Sequence, residues 1–375
     1  MKIVIAPDKF KSALSSIEFC SIVKKGIQTH LPQAKVISCP LADGGDGSLD
    51  IIEFNLVSER ITKPVHDPLF DDISATYLID KNTKTAYIEM AEASGLKLLK
   101  KEAYNCKKAS TFGTGELILD AINRDVKHIY LFIGGSATND AGIGMAAALG
   151  YKFLDKNKQP LLPIGENLEY LSYIDTTEAI ERLKNVSFSV ACDVSNPLYG
   201  ENGAAHVYAS QKGATKLDIE ALDRGLVNFN KVVENQFQQN MQEIKGGGAA
   251  GGLGAGAVLF LNATIVSGTE YLLKVSNFEE NIQQADWVIT GEGKLDNQTL
   301  SGKTLSGVIE KSKRQKIPVA IFCGINSLTQ TELETLEIDY LVAISKKEIT
   351  LEDAIKNSKH NLLKATEDFC KQLIR

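Results

Sequence analysis

Both ends of the chain alternate short apolar runs with helical stretches, and nothing else in the sequence restricts the fold as much. At the start, "KIVIAP" is followed by Ser15-Ser-Ile-Glu18, a capping-box pattern that opens a helical stretch to about His30. "KVISCP" comes next. The last ninety or so residues repeat the pattern with "DWVITG", a helix near Leu305 to Lys316, "PVAIFCG", "YLVAIS" and a long helical tail from about Leu351. Such alternation builds a parallel sheet covered by helices on both faces.

The middle of the chain breaks the pattern. "ISATYLID" and "TAYIEMA" flank Lys81-Asn-Thr-Lys84 and read as a hairpin, an antiparallel element foreign to a doubly wound sheet. Beyond it come "HIYLFIGG", a small-residue helix from Asn139 to Leu149, "VSFSVACDV", a long Gly-rich loop and helices between Lys216 and Gln284. The expectation is an α/β protein of two domains. Residues 1–64 plus 285–375 form a Rossmann-like domain with a parallel sheet, and residues 65–284 form a second α/β domain inserted into it.

A chain of 375 residues, 43% hydrophobic and 23% charged, has the balance of a soluble globular protein. No apolar run is long enough to cross a bilayer, and "MKIVIAPDKF" becomes charged again by Asp8, unlike a signal peptide. A cytoplasmic location is therefore expected. The six cysteines are scattered, with no Cys-x-x-Cys pair, so neither a structural zinc site nor a disulfide framework is expected. Net charge is −6 with no dense basic patch, so nucleic acid is a poor candidate partner and none is expected. Only six arginines occur, and none lies in a Gly-rich segment. Anion binding must then lean on lysines and on backbone amides.

Ligands of α/β sheets sit outside the C-terminal ends of strands. Polar segments follow apolar runs at Pro7 to Lys11, Leu41 to Ser48 ("LADGGDGS"), Gly134 to Asp140 ("GGSATND"), Ala191 to Pro197 and Gly291 to Asp296. Each alone could be a turn. In "GGSATND", Gly134, Gly135, Ser136, Thr138 and a possible Asn139 cap form a polar cup suited to phosphate oxygens. Lys212, in "QKGA", and Lys303 are further candidates for phosphate or nucleotide, although an exposed lysine is usually only solvated.

Three familiar motifs are near misses. Gly302-Lys303-Thr304 ends like a P-loop, but Asn297 stands where that loop needs its first glycine. Gly252-x-Gly254-x-x-Ala257 matches a dinucleotide fingerprint, yet a helical stretch and not a strand precedes it. No Gly-x-Ser-x-Gly elbow is present, and of the five histidines only His206 lies in the Gly-rich loop. What remains is a surplus of Asp, Lys and Gly at strand ends, the inventory of phosphoryl transfer to a small molecule. A nicotinamide oxidoreductase and a non-catalytic binding module are the competing readings.

With these segments assembled, the chain resembles the bacterial type-1 glycerate kinase family over nearly its full length. The matching runs are "APDKFK", "PLADGGDGS", "GTGELI", "IGGSATNDAGIGMAAALG", "ACDVSNPLYGENGAAHVY", "QKGA", "GGGAAGGLGAG" and "ADWVITGEGKLDNQTLSGKT", in that order. Ser12 and Ala141 stand where the family pattern usually has Gly, Asp46 where Glu is common, and Lys294 where Arg is common. The resemblance implies ATP-dependent phosphorylation of D-glycerate with Mg²⁺, in a cleft between two α/β domains. Whether the 2- or the 3-hydroxyl is phosphorylated stays open, as does the oligomeric state.

Asp193 is the first candidate for the carboxylate that accepts the substrate's hydroxyl proton, because it follows an apolar strand and precedes a loop able to close over a small ligand. Asp43 and Asp8 are its nearest rivals. Lys9 would neutralise a substrate carboxylate or the transferred phosphate, and Glu292 and Asp296 are candidate metal ligands.

Overall fold

The computed structural model describes residues 1–179, 181–296, 304–345 and 349–374. In chain order the strands are β1 (Lys2–Ile5), β2 (Lys35–Ser38), β3 (Glu59–His66), β4 (Asp72–Asp80), β5 (Thr85–Glu89), β6 (His128–Phe132), β7 (Lys152–Leu154), β8 (Tyr173–Asp175), β9 (Ser187–Ala191), β10 (Thr264–Val266), β11 (Trp287–Leu295), β12 (Val319–Asn326) and β13 (Tyr340–Ala343). The chain divides into two compact units. One comprises residues 1–43, 50–55 and 269–375; the other comprises 44–49 and 56–268.

The first unit holds a five-stranded sheet in the order β13-β12-β11-β1-β2, parallel at every pairing. Counted within the unit this is the order 5-4-3-1-2, so the winding reverses between β1 and β11. That is the position at which open α/β sheets leave a crevice beyond the strand ends. The helix Ser16–His30 starts where the sequence predicts: Ser15 Oγ accepts the Glu18 amide while the Glu18 carboxylate accepts the Ser15 amide. Such a cap contributes ~1 kcal/mol. One buried face of this helix (Phe19, Val23, Ile27) joins Ile3, Ile5, Phe322, Leu362 and Phe369 in one core on one side of the sheet. Val4, Leu41, Val288 and Phe278 fill the other side.

The second unit holds a six-stranded sheet in the order β10-β9-β6-β5-β4-β3. The strands β3, β4 and β5 form the antiparallel meander that contains the expected hairpin, while β5, β6, β9 and β10 run parallel. Both sheets together give a mixed α/β protein dominated by parallel pairing. The helix Leu253–Leu261 is apolar around most of its circumference and is buried accordingly. The small-residue helix is shorter than the sequence suggests, Ile143–Ala148. Among the described residues no helix is long and apolar enough to cross a membrane.

Candidate active site

In the first unit the parallel pairing continues past the end of β1. The Ala6 amide donates to Ile289 O at 2.8 Å and the Asp8 amide to Gly291 O at 2.9 Å, while the Leu41 amide donates to Pro7 O at 3.0 Å. Asp8 is thereby fixed beyond the strand end at the winding reversal, next to β11. Its carboxyl is half-buried at the surface yet enclosed by protein, and burial pushes it up to about 7. The negative charge of Asp43 pushes in the same direction, Glu292 adds to it, and the Lys9 amide and ammonium pull against them. The first unit therefore gathers Asp8, Lys9, Asp43 and Glu292. Asp296 lies just past β11 with its carboxylate 3.2 Å from the Lys294 ammonium. Lys303 lies outside the described residues.

In the second unit, parallel register aligns Phe132 at the end of β6 with Ala191 at the end of β9. Two residues further along each strand come Gly134 and Asp193, so the Asp193 loop and the Gly134 segment leave the same edge of one sheet at the same level. Asp193 is half-buried, and its Oδ1 accepts the Ser267 hydroxyl at 2.6 Å. The Gly134 segment is held on both sides: the Leu96 amide donates to Gly135 O at 2.9 Å, and the Ala137 amide to Ser94 O at 2.9 Å. A side chain at Gly134 is impossible here, because a Cβ would lie 2.4 Å from the Gly45 Cα. Part of the glycine content of "DGGDG" and "IGGS" is thus explained by backbone packed on backbone.

Lys212 does not sit in solvent as a loop lysine would. It is 3% exposed, and its ammonium donates to Ser136 Oγ at 2.6 Å and to Thr138 O at 2.8 Å. Burial holds its pKa down to about 8, with Cys106 and Asp140 pulling the other way. Of the seven buried side-chain N and O atoms without a hydrogen-bond partner among the described residues, three belong to this segment: Thr138 Oγ1 and both amide atoms of Asn139. A buried polar atom left unsatisfied costs ~1–3 kcal/mol, so this concentration marks a place where something other than stability sets the sequence.

Asn139 is not the helix cap that the sequence suggested. Asp140 takes that work: its carboxylate accepts the Thr111 amide and hydroxyl, both at 2.8 Å, and the Gly142 and Gly144 amides at 3.1 and 3.2 Å. A charged acceptor outcompetes a neutral amide for backbone donors. Even so, complete burial raises the Asp140 carboxyl above its ordinary range.

Of a second polar group, around Lys97, the sequence pointed only to Asp46 in "DGGDG". The Lys97 ammonium reaches Asp46 at 2.7 Å and Glu92 at 2.5 Å, with the buried Glu89 at 3.9 Å. Glu89 in turn accepts the Leu49 amide at 2.8 Å and so anchors the residues that follow "DGGDG". The one further signal was an acidic residue closing the apolar run "TAYIE".

Among the described residues no group of three or more His, Cys, Asp or Glu side chains is arranged to hold a metal ion. Those residues therefore build no protein cage for a transition metal. Mg²⁺ asks for less, since it keeps several waters and takes one or two carboxylates together with substrate phosphate. Hard oxygen donors whose charges already repel one another, as around Asp8, suit such an ion.

A model of the glycerate kinase family matches residues 3–374. A glycerate kinase of Halalkalibacterium halodurans is 42% identical over 356 residues, covering 94% of this chain and 93% of its own. The glycerate 2-kinase of Escherichia coli is 37% identical over 373 residues, covering 100% and 98%. Among solved structures, a crystal structure described as glycerate kinase 2 from Salmonella typhimurium superposes with a TM-score of 0.84 at 37% identity, over 100% of this chain and 98% of that one. With a family model spanning almost every residue and relatives of this identity along the full length, the chain belongs to the glycerate kinase family.

Proposed function

We propose that the protein is a glycerate kinase that transfers the terminal phosphoryl group of ATP to a hydroxyl of D-glycerate. Full-length kinship to proteins of that name carries this reading, and the polar groups at the strand ends supply chemistry that fits it. The relative named for the 2-position favours the 2-hydroxyl as acceptor.

Asp193 accepts the proton of the attacking hydroxyl, oriented by the Ser267 hydroxyl on its Oδ1. The Gly134 to Asn139 segment, level with Asp193 on the same sheet edge, lines the acceptor's surroundings. In the first unit, Lys9 and the amides beyond β1 would bind phosphate oxygens, and Glu292 and Asp296 would hold Mg²⁺. When bound, that ion draws charge away from the phosphate oxygens as the transferred group leaves. Asp8 and Asp43 add negative charge around it and so favour a cation there. Lys303 belongs to the same proposal as a phosphate contact. The need for ATP and the six free cysteines fit a reducing cytoplasm.

The test is ADP release with ATP and Mg²⁺, with and without D-glycerate. Turnover that rises with glycerate supports the reading; ATP hydrolysis indifferent to it, or no turnover, refutes it. Phosphorus NMR of the product distinguishes 2- from 3-phosphoglycerate.

A further inference from the structure

We propose that Lys212 and Asn139 form the subsite that selects the acid substrate. The Lys212 ammonium receives the carboxylate, and the Asn139 amide reads the hydroxyl that is not phosphorylated. The inference rests on the glycerate kinase reading and deepens it.

Lys212 is a cation taken out of water with no carboxylate paired to it among the described residues. Its hydrogen bonds go to a hydroxyl and a carbonyl, and the buried carboxylate whose charge reaches it, Asp140, has its oxygens occupied by Thr111, Gly142 and Gly144. A buried charge is normally paired. Here the missing counter-charge must come from a ligand, and a ligand of the right sign is an oxyanion.

Asn139 decides which oxyanion. Its Nδ2 is a donor and its Oδ1 an acceptor, and both are buried and unpaired, so the argument holds whichever way the amide is turned. An ionised phosphate presents only acceptors and would set oxygen against oxygen at Oδ1. A hydroxy acid presents both kinds of partner, with carboxylate oxygens to accept and a hydroxyl to donate. The Thr138 hydroxyl, equally unpaired, adds a donor or acceptor one residue away. Thr138 and Asn139 are fully buried, so the subsite is sealed in this structure and ligand entry requires neighbouring chain to move. The assignment departs from the phosphate role expected of this segment from its sequence.

A site built around a substrate hydroxyl discriminates strongly against the analogue that lacks it, because its own polar groups are then left unpaired. D-Lactate is D-glycerate without the 3-hydroxyl and keeps the 2-hydroxyl as phosphoryl acceptor. The experiment measures kcat/KM of the full-length enzyme with both acids, and KM for ATP, in the native protein, Asn139→Ala and Lys212→Met. Circular dichroism checks the folding of each. The native enzyme should prefer glycerate over lactate by at least ~10²-fold. Asn139→Ala should lose at least ~10-fold with glycerate and less than ~2-fold with lactate, at unchanged KM for ATP. Lys212→Met should weaken both acids alike and spare ATP; if it does not fold, Asn139→Ala and the lactate ratio decide alone.

A rise in KM for ATP in Asn139→Ala would make this a phosphate subsite and overturn the proposal. Equal losses with both acids, or no change with either, as a buried water on Asn139 would give, overturn it too. Failure of the native enzyme to phosphorylate glycerate refutes the functional reading itself, and the subsite with it.

Discussion

Glu89 closes β5 almost fully buried, and burial pushes its carboxyl from the ordinary 4.5 up to about 7; Asp46 and Glu92 add to this, against the Leu49 amide and Lys97. Between those two values the folded protein holds a proton that the unfolded chain has lost. Stability from this group therefore falls as pH rises through that window. Glu89→Gln keeps an acceptor for the Leu49 amide and removes the titration. Urea midpoints of the variant should exceed those of the native protein at pH 8 and approach them at pH 5; a constant difference at both pH values would reject the assignment. Asp193 makes the complementary case. Asparagine there still accepts the Ser267 hydroxyl, so Asp193→Asn should fold normally and lower kcat by about 10²–10⁴-fold. A loss of stability with specific activity intact would show that Asp193 merely holds its loop. The place of Asp193 just past a strand end was legible because it follows an apolar run. The burial of Lys212 was not, because its bonds go to residues more than seventy positions away and local sequence carries no trace of them.

At the scale of elements, two non-glycine residues sit in backbone that glycine adopts more easily. Ser12 and Ala141, where the resemblance led to the expectation of glycine, both have left-handed backbone, φ of 64° and 52°. Such a conformation costs a residue with a Cβ ~1–2 kcal/mol, while glycine adds back ~0.5–1 kcal/mol of unfolded-chain entropy. Ser12 is exposed, so Ser12→Gly should stabilise by about 0.5–1 kcal/mol in urea unfolding. Ala141 is fully buried and its methyl is worth ~0.8 kcal/mol, so Ala141→Gly should be close to neutral. Equal destabilisation by both would remove backbone strain from the account. The run "GGGAAGGLGAG" is a packing device: a Cβ on Gly251, at φ +71°, would lie 2.1 Å from Thr138 O and 2.5 Å from Asn139 Cα. Gly251→Ala should destabilise by ~2–5 kcal/mol and raise KM for glycerate. Gly200→Ala, at φ +91° with nothing within 4 Å, should cost only the backbone term of ~1–2 kcal/mol. Equal effects would mean that close contact under the Asn139 segment is unimportant. Strands, the Ser15 cap and the hairpin were legible because apolar period and capping chemistry are local. The length of the small-residue helix was not, because Asp140 ends the loop through contacts with Thr111.

Over the whole molecule, the two units differ in how the chain supplies their cores. The largest core draws every member from between Ile61 and Ala263, a single uninterrupted stretch. Two of the cores around the five-stranded sheet instead combine residues near the N-terminus with residues from Leu273 onward. The six-stranded sheet closes within residues 59–266, and its meander and parallel crossovers need no strand from elsewhere. Self-sufficiency of core and sheet is the physical criterion for independent folding. Residues 56–268 expressed alone should therefore give a dispersed amide NMR spectrum and a single cooperative urea transition, without kinase activity. The fragment gives up residues 44–49, and with them the Leu49 amide on Glu89 and the Asp46 partner of Lys97, so its midpoint should lie below that of the full chain. Residues 269–375 alone should remain unfolded, because β1 and the helix Ser16–His30 are then missing from beside β11 and the final helix Leu351–Ile374. Should the 56–268 fragment show collapsed amide dispersion while the full chain is folded, its core is not self-sufficient. The fold would then be a single cooperative entity despite its two large sheets.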